Sequence, residues 1–237
     1  MNKRICVRLS LLLVGSILSV TSCVTVKQQQ ITKEQEPSDR EKIISKALEI
    51  ESIKPKPVYR QRITIKHPLT GEEVAYTMDC SGFVSCVFKS ANIGGFETLT
   101  SNVEGENGVK IIYKALEKSK KIYRKKMPKV ADIIFFDNTY DRNGNSAIDD
   151  ELTHVGIVLS VDENGTITFI HSSVSGGVTR DYVNLYHPDK ETLNGDTINS
   201  HLRVQKDADP LDTKYLAGEL FHAFGTVFDI PQEGGDF

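Results

Sequence analysis

The chain has 237 residues, of which 39% are hydrophobic and 26% charged, with a formal net charge of −3. That balance fits a soluble globular domain with appendages and excludes a polytopic membrane protein, a collagen-like chain and a fully disordered one. Four cysteines without a tryptophan exclude a disulfide-framework mini-protein, and the mild acidity gives no pull toward nucleic acid, so no nucleic-acid partner is expected.

Lys3, Arg4 and Arg8 precede an apolar run from Leu9 to Val20. The run is short for a membrane span and reads as a secretory signal over residues 1–22. It ends in Val20-Thr21-Ser22-Cys23, which resembles the lipobox of bacterial lipoproteins. That resemblance implies a lipid on Cys23, a membrane anchor and a place in the cell envelope, outside the cytoplasm. Residues 1–22 hold three bases and no acid, so their removal takes the charge to −6. Residues 23–40 are polar, with three consecutive glutamines, and read as a flexible tether. The remaining stretch, 41–230, is expected to form one domain.

Ser38 or Asp39 is a candidate N-cap, with Glu41 in the first turn and Ile43, Ile44, Ala47 and Leu48 on one helical face. Lys-Pro-Lys-Pro at 54–57 stops that helix. Arg62–Lys66 and Glu73–Thr77 read as strands around the turn at 68–71. A second helix opens at Cys80 with Asp79 as its cap, and Cys80, Phe83, Val84, Val87, Phe88 and Ala91 form its apolar stripe. A third is expected over Gly108–Lys120. Strands follow at Ala131–Phe136, Thr153–Val161 and Thr166–His171, the last two joined by the turn 162–165. A final helix is expected from Thr213 to Phe224, with Gly225 as its stop. Helices followed by an antiparallel sheet give an α+β layout.

A cysteine at a helix N-terminus is a candidate nucleophile, because exposed amides and the helix dipole favour its thiolate. Such a thiol needs a base, and the base needs an orienting partner. His67, His187 and His201 fall in polar, loop-like segments, and His222 falls among phenylalanines of the expected last helix. His154 and His171 instead sit at the start and end of paired strands, which makes them neighbours and the candidate base and its partner. Cys86, off the face of Cys80, reads as packing.

Asp79-Cys80-Ser81-Gly82-Phe83, Ala131-Asp132-Ile133-Ile134-Phe135-Phe136, His154-Val155-Gly156-Ile157-Val158 and Phe169-Ile170-His171-Ser172-Ser173 together resemble the NlpC-type cell-wall peptidase family, over roughly residues 40–228. The resemblance implies a papain-like α+β fold with Cys80 as nucleophile, His154 as general base and His171 as its orienting group. It implies hydrolysis of peptidoglycan stem peptides, often at the γ-D-glutamyl–diaminopimelate bond, by a monomer that needs no cofactor. Alternatives are an amidase or acyltransferase on the same scaffold, or an envelope-binding lipoprotein without catalysis. The family's Gly pair after its Tyr is replaced by Arg60 and Gln61 after Tyr59, and its Gly before Asp132 by Ala131. Tyr59 is a candidate oxyanion donor. Asp79 and Ser81 are candidates for binding a substrate amine, or simply helix caps.

The run Lys118–Lys126 holds six bases and reads as a solvated helix end, the alternative being contact with an anionic envelope polymer. Residues 141–151 resemble a calcium loop, with Asp141, Asn143, Asn145 and Asp149 in ligand positions and Asp150 and Glu151 nearby. Ser146 stands where such loops carry glycine. Ca²⁺ is thus the one metal the sequence suggests.

Overall fold

Ser38 caps the first helix, α1 (Asp39–Ser52), through a reciprocal capping box with Glu41. In the computed structural model, residues 36–101, 103–105, 107–207 and 209–230 are described. The expected signal peptide, Cys23 and nearly all of the expected tether lie outside them. The described residues from Pro37 onward group by their contacts as one unit.

After α1 comes the hairpin of β1 (Arg62–Lys66) and β2 (Glu73–Thr77), paired in register from Arg62–Thr77 to Lys66–Glu73. Three helices follow: α2 (Cys80–Ser90), α3 (Gly94–Thr100) and α4 (Gly108–Lys118). The main sheet is built from β3 (Ile122–Tyr123), β4 (Ile133–Phe136), β5 (His154–Val161), β6 (Thr166–Ser173), β7 (Gly177–Asn184) and, after a small hairpin β8 (Thr192–Leu193) and β9 (Asp196–Thr197), β10 (Phe221–Gly225). Its order is β3-β10-β4-β5-β6-β7, with every pair antiparallel. The α+β class expected from the sequence is the class found.

The sheet is apolar on both faces because both are covered. On one face Phe135, Val155, Ile157, Ile170 and Ala223 join the buried sides of α1, α2 and α4. On the other, Phe136, Val158, Phe169, Val183 and Phe224 pack under Ala217 and Leu220 of the irregular segment before β10. Phe135 is fully buried; truncating such a side chain to alanine costs about 3–5 kcal/mol.

The expected helix at 213–224 is not formed. Residues 216, 217, 220, 221 and 224 fit a helical period, but Phe221–Gly225 is a strand between β3 and β4, with Phe224 opposite both Tyr123 and Ile134. The hydrogen-bonding edges of β4 and β3 are thereby satisfied, and Leu216, Ala217 and Leu220 bury themselves from turns instead. His222 is accordingly a strand residue. Four further features, α3, β3, β7 and the β8–β9 hairpin, carried no expectation. For β7 a signal existed: Ser175-Gly176-Gly177 is a turn followed by Val178, Thr179, Tyr182 and Val183, a β-rich run.

Asp132 ties the start of the sheet to the helices. Its fully buried carboxylate accepts from Arg40 (2.9 Å) on α1, from the Tyr123 hydroxyl (2.5 Å) and from the Lys129 amide (2.8 Å). Of the three positions at which the sequence replaces an expected glycine, two keep a glycine-like backbone: Arg60 has φ 63° and Ala131 φ 69°, whereas Gln61 does not have a positive φ. A left-handed non-glycine residue costs of the order of 1 kcal/mol, so these two substitutions changed the residue and not the turn.

Candidate active site

Cys80 is the first residue of α2, and each neighbour in its motif has a mechanical task. The Asp79 carboxylate caps the helix, accepting from the Gly82 amide (2.7 Å) and the Ser81 hydroxyl (2.8 Å). Gly82 lies under the end of β2, where an added Cβ would be 1.8 Å from the Thr77 carbonyl oxygen. No larger residue fits there, so the β1–β2 hairpin is seated directly on the nucleophile's helix. Ser81 packs against Gly108 at the start of α4. Asp79 and Ser81 are thus engaged in capping and packing.

Cys80 is 7% exposed. Burial first, and then the Asp79 carboxylate, push its thiol up to about 12, against the pull of the amides of Ser81, Val155 and Cys80 itself. The sequence reading expected the helix N-terminus to favour a thiolate; desolvation works against that pull. The resting group is a neutral thiol held in a ring of amide donors, and its proton must leave as the sulfur attacks.

Val155 follows His154, the first residue of β5, so the amide that faces the sulfur and the imidazole are consecutive. Antiparallel pairing of β5 and β6, with Ile157 opposite Ile170, brings His154 beside His171. His154 Nε2 and His171 Nδ1 are 2.6 Å apart, and the rings stand edge to face at 88°. Phe136 and Phe169 flank the pair. Gly156 creates the space: a Cβ there would meet the Phe169 ring at 2.9 Å, the Ile170 carbonyl oxygen at 3.1 Å and His171 Cβ at 3.3 Å. Burial, with His171 adding to it, holds His154 well below the ordinary imidazole range. His154 is therefore neutral and able to accept a proton. His171 is 1% exposed, and its Nε2 lies 2.9 Å from Asp181 Oδ2 on β7.

A cleft of about 310 Å³ opens over the histidines. Tyr59, Tyr140, His154, His171 and Asp181 line it, and residues 201–206 form a further wall. Burial raises the Tyr59 and Tyr140 phenols, and the nearby Cys80 adds to both shifts. Both hydroxyl groups thus line the cleft as neutral donors. The sequence reading found Tyr59 but missed Tyr140, Asp181 and the 201–206 wall. Asp181 could have been sought once β7 was seen. The wall carries no motif.

The loop 141–151 joins Asn143, Asn145 and Asp149 and leaves Asp141 bonded to backbone amides of the loop. Asp141 accepts from the amides of Gly144 (2.7 Å) and Ser146 (3.0 Å), and the side-chain amides of Asn143 and Asn145 both donate to Asp149 (3.2 and 3.0 Å). Asp150 turns away to Arg142. Among the described residues no group of three or more His, Cys, Asp or Glu side chains converges as a metal site. Leu152 and Thr153 bond back to Asp137 and Phe136 (2.7 and 3.0 Å), which fixes the chain just before His154.

The other titratable candidates lie elsewhere. Cys86 is buried, its sulfur 3.9 Å from the Ser90 hydroxyl, as expected of a packing residue. His222 bonds Asp137 (2.7 Å) and faces Arg124, which in turn donates to the Tyr113 hydroxyl. In the basic run, Arg124 is thus engaged, and Lys121 pairs with Asp229 (3.1 Å).

Residues 70–173 match the family model of the CHAP domain. Neither the curated proteins nor the solved structures gave a significant match. The matched segment is shorter than the 40–228 over which the NlpC-type resemblance ran, and its description is CHAP. Cys80, His154 and His171 all fall within it, whereas Asp181 and the 201–206 wall lie beyond its end. Residues 70–173 are therefore similar to the CHAP domain, a papain-like cysteine/amidase domain family of peptidoglycan hydrolases.

Proposed function

We propose that the chain is a cysteine endopeptidase of peptidoglycan stem peptides, acting as a monomer through Cys80, His154 and His171 and needing no cofactor for the chemistry. One observation carries this: the 2.6 Å contact of His154 Nε2 with His171, made by the residue next to the amide that faces the Cys80 sulfur. The contact occupies His154 Nε2 and leaves Nδ1 for the thiol proton.

The Cys80 sulfur attacks the scissile carbonyl carbon while His154 Nδ1 takes the thiol proton, so sulfur and imidazole become charged only together. That coupling suits a site in which burial disfavours either charge alone. The oxyanion of the tetrahedral intermediate is stabilised by the Cys80 amide and the Tyr59 hydroxyl. His154 returns the proton to the leaving nitrogen, the C–N bond breaks and a thioester forms. Water, deprotonated by His154, then releases the acid and restores the thiol. The bond proposed is γ-D-glutamyl–diaminopimelate.

The test is digestion of purified peptidoglycan with mass spectrometry of the products. An endopeptidase yields muropeptides with shortened stems, an amidase yields whole stem peptides freed from the glycan, and an unchanged wall overturns both. Export and acylation at Cys23 are part of the proposal; Cys23→Ser should lose metabolic palmitate label and leave the membrane fraction.

We also propose that Ca²⁺ binds at residues 141–149. The support is the spacing of Asp141, Asn143, Asn145 and Asp149, oxygen-bearing side chains of the hard type this ion takes, within one loop. Bound there, it would tie down the chain leading to His154. Millimolar calcium should raise the melting temperature, and Asp141→Ala should abolish the rise. No heat and no shift at that concentration would remove calcium from the account.

A further inference from the structure

Asp181 lies on the edge strand β7, outside the CHAP match, and no motif of the sequence points to it. It pairs with Phe169 in the β6–β7 register, which puts its carboxylate on the same face as His171. We infer that Asp181 is a positioning residue that selects the reactive tautomer of His154 by acting through His171. The inference rests on the reading of Cys80 as nucleophile and His154 as base.

The argument is a count of protons. An ionised carboxylate only accepts hydrogen bonds. In the 2.9 Å contact the proton therefore belongs to His171 Nε2. A neutral imidazole carries one N–H, so His171 Nδ1 presents a lone pair. The 2.6 Å contact then needs its proton on His154 Nε2. The same count leaves His154 Nδ1 bare, and that nitrogen is the one not engaged by His171. Asp181 thus leaves a lone pair on the nitrogen that must take the thiol proton.

The opposite arrangement is equally well hydrogen-bonded between the two histidines. His171 Nδ1 would donate to His154 Nε2, and the His154 proton would sit on Nδ1, where it blocks the base. Without Asp181 nothing in the pair itself separates the two arrangements. With it, the blocked one sets two acceptors, His171 Nε2 and a carboxylate, 2.9 Å apart. The same negative charge, two contacts from His154, favours the imidazolium formed during attack.

The surrounding charged and titratable groups are Cys80 and Asp79 at the start of α2, Tyr59, Tyr140 and Asp141 from the loops, and His201, Arg203 and Lys206 from the wall. Arg203 is paired with Asp209. Among the described residues the hydrogen-bond partners of the His171 ring are His154 and Asp181. The substitution of Asp181 therefore changes one charge and one acceptor in direct contact with the pair.

The experiment is NMR of the full chain labelled with ¹⁵N-histidine, together with the alkylation rate of Cys80 by iodoacetamide as a function of pH. The wild type should show His154 and His171 both protonated at Nε2. In Asp181→Ala the two rings should become mixed in tautomer, and alkylation should slow by roughly tenfold or more. Its acid limb should move to lower pH, because a lost carboxylate no longer favours the imidazolium. Asp181→Glu should restore part of the rate. Asp181→Asn, which keeps the shape and loses the charge, gives the same readout should the alanine variant fail to fold. Nδ1-protonated His154 in the wild type, or unchanged tautomers in both neutral variants whatever their rates, overturns the inference. Neither readout needs peptidoglycan, so a chain that leaves the wall uncut while its tautomers shift sinks the hydrolase reading and leaves the role of Asp181 standing.

Discussion

Gly156→Ala tests the packing that holds the two histidines together. An alanine Cβ at 156 would lie 2.9 Å from the Phe169 ring, 3.1 Å from the Ile170 carbonyl oxygen and 3.3 Å from His171 Cβ. Ordinary contact begins near 3.4 Å, so several tenths of an ångström must be found. The carbonyl belongs to the β5–β6 ladder and the ring is fully buried, so neither neighbour moves without cost. Overpacking of this kind costs about 1–3 kcal/mol. For a domain of this size that lowers the melting temperature by about 2–12 °C. The cheapest relief displaces β6 and with it His171, lengthening the 2.6 Å contact. Misplacing a catalytic group by about 1 Å can cost about a hundredfold in rate, so a shift of part of that should cost about tenfold. Thermal melting and Cys80 alkylation are the assays. A variant that melts within about 1 °C of the wild type and alkylates at its rate would refute the reasoning.

Three other outcomes are expected. Cys80→Ala should abolish muropeptide release while the chain stays folded, whereas Cys86→Ala should keep most activity; digestion of purified wall distinguishes them. Asp132→Ala should destabilise by about 3–5 kcal/mol in denaturant melts, because it strands the buried Tyr123 hydroxyl and breaks the Arg40 pair. Stability should fall on both sides of neutrality. His154 is held low when folded, so the unfolded chain binds its proton first and stability declines as pH drops below about 6.5. Cys80 is pushed up to about 12, so the unfolded chain loses that proton first and stability declines as pH rises above 9.0. In Cys80→Ala the alkaline decline should shrink, and an unchanged slope would assign it to other groups.

Local signals in the sequence determined a good part of this protein. Ser38 with Glu41 marks a helix start whatever follows, because the capping box closes within one turn. The stripe from Cys80 to Ala91 and the cap Asp79 likewise needed no distant partner. A tight turn between two β-rich runs placed His154 beside His171, since hairpin pairing is itself local. What the sequence could not decide was set by distant contacts. Leu216 to Phe224 has a helical period, and only the waiting edges of β3 and β4 make its end a strand. The ionisation of Cys80 depends on distant contacts in the same way. A helix N-terminus is visible in the sequence, but the burial that works against it comes from elements far along the chain. Asp181 is ten residues from His171 in the chain, and the pairing of β7 with β6 turns that separation into a 2.9 Å contact. Propensity and capping are written in a few neighbouring residues, whereas desolvation and the direction of a proton depend on what the whole fold packs around them.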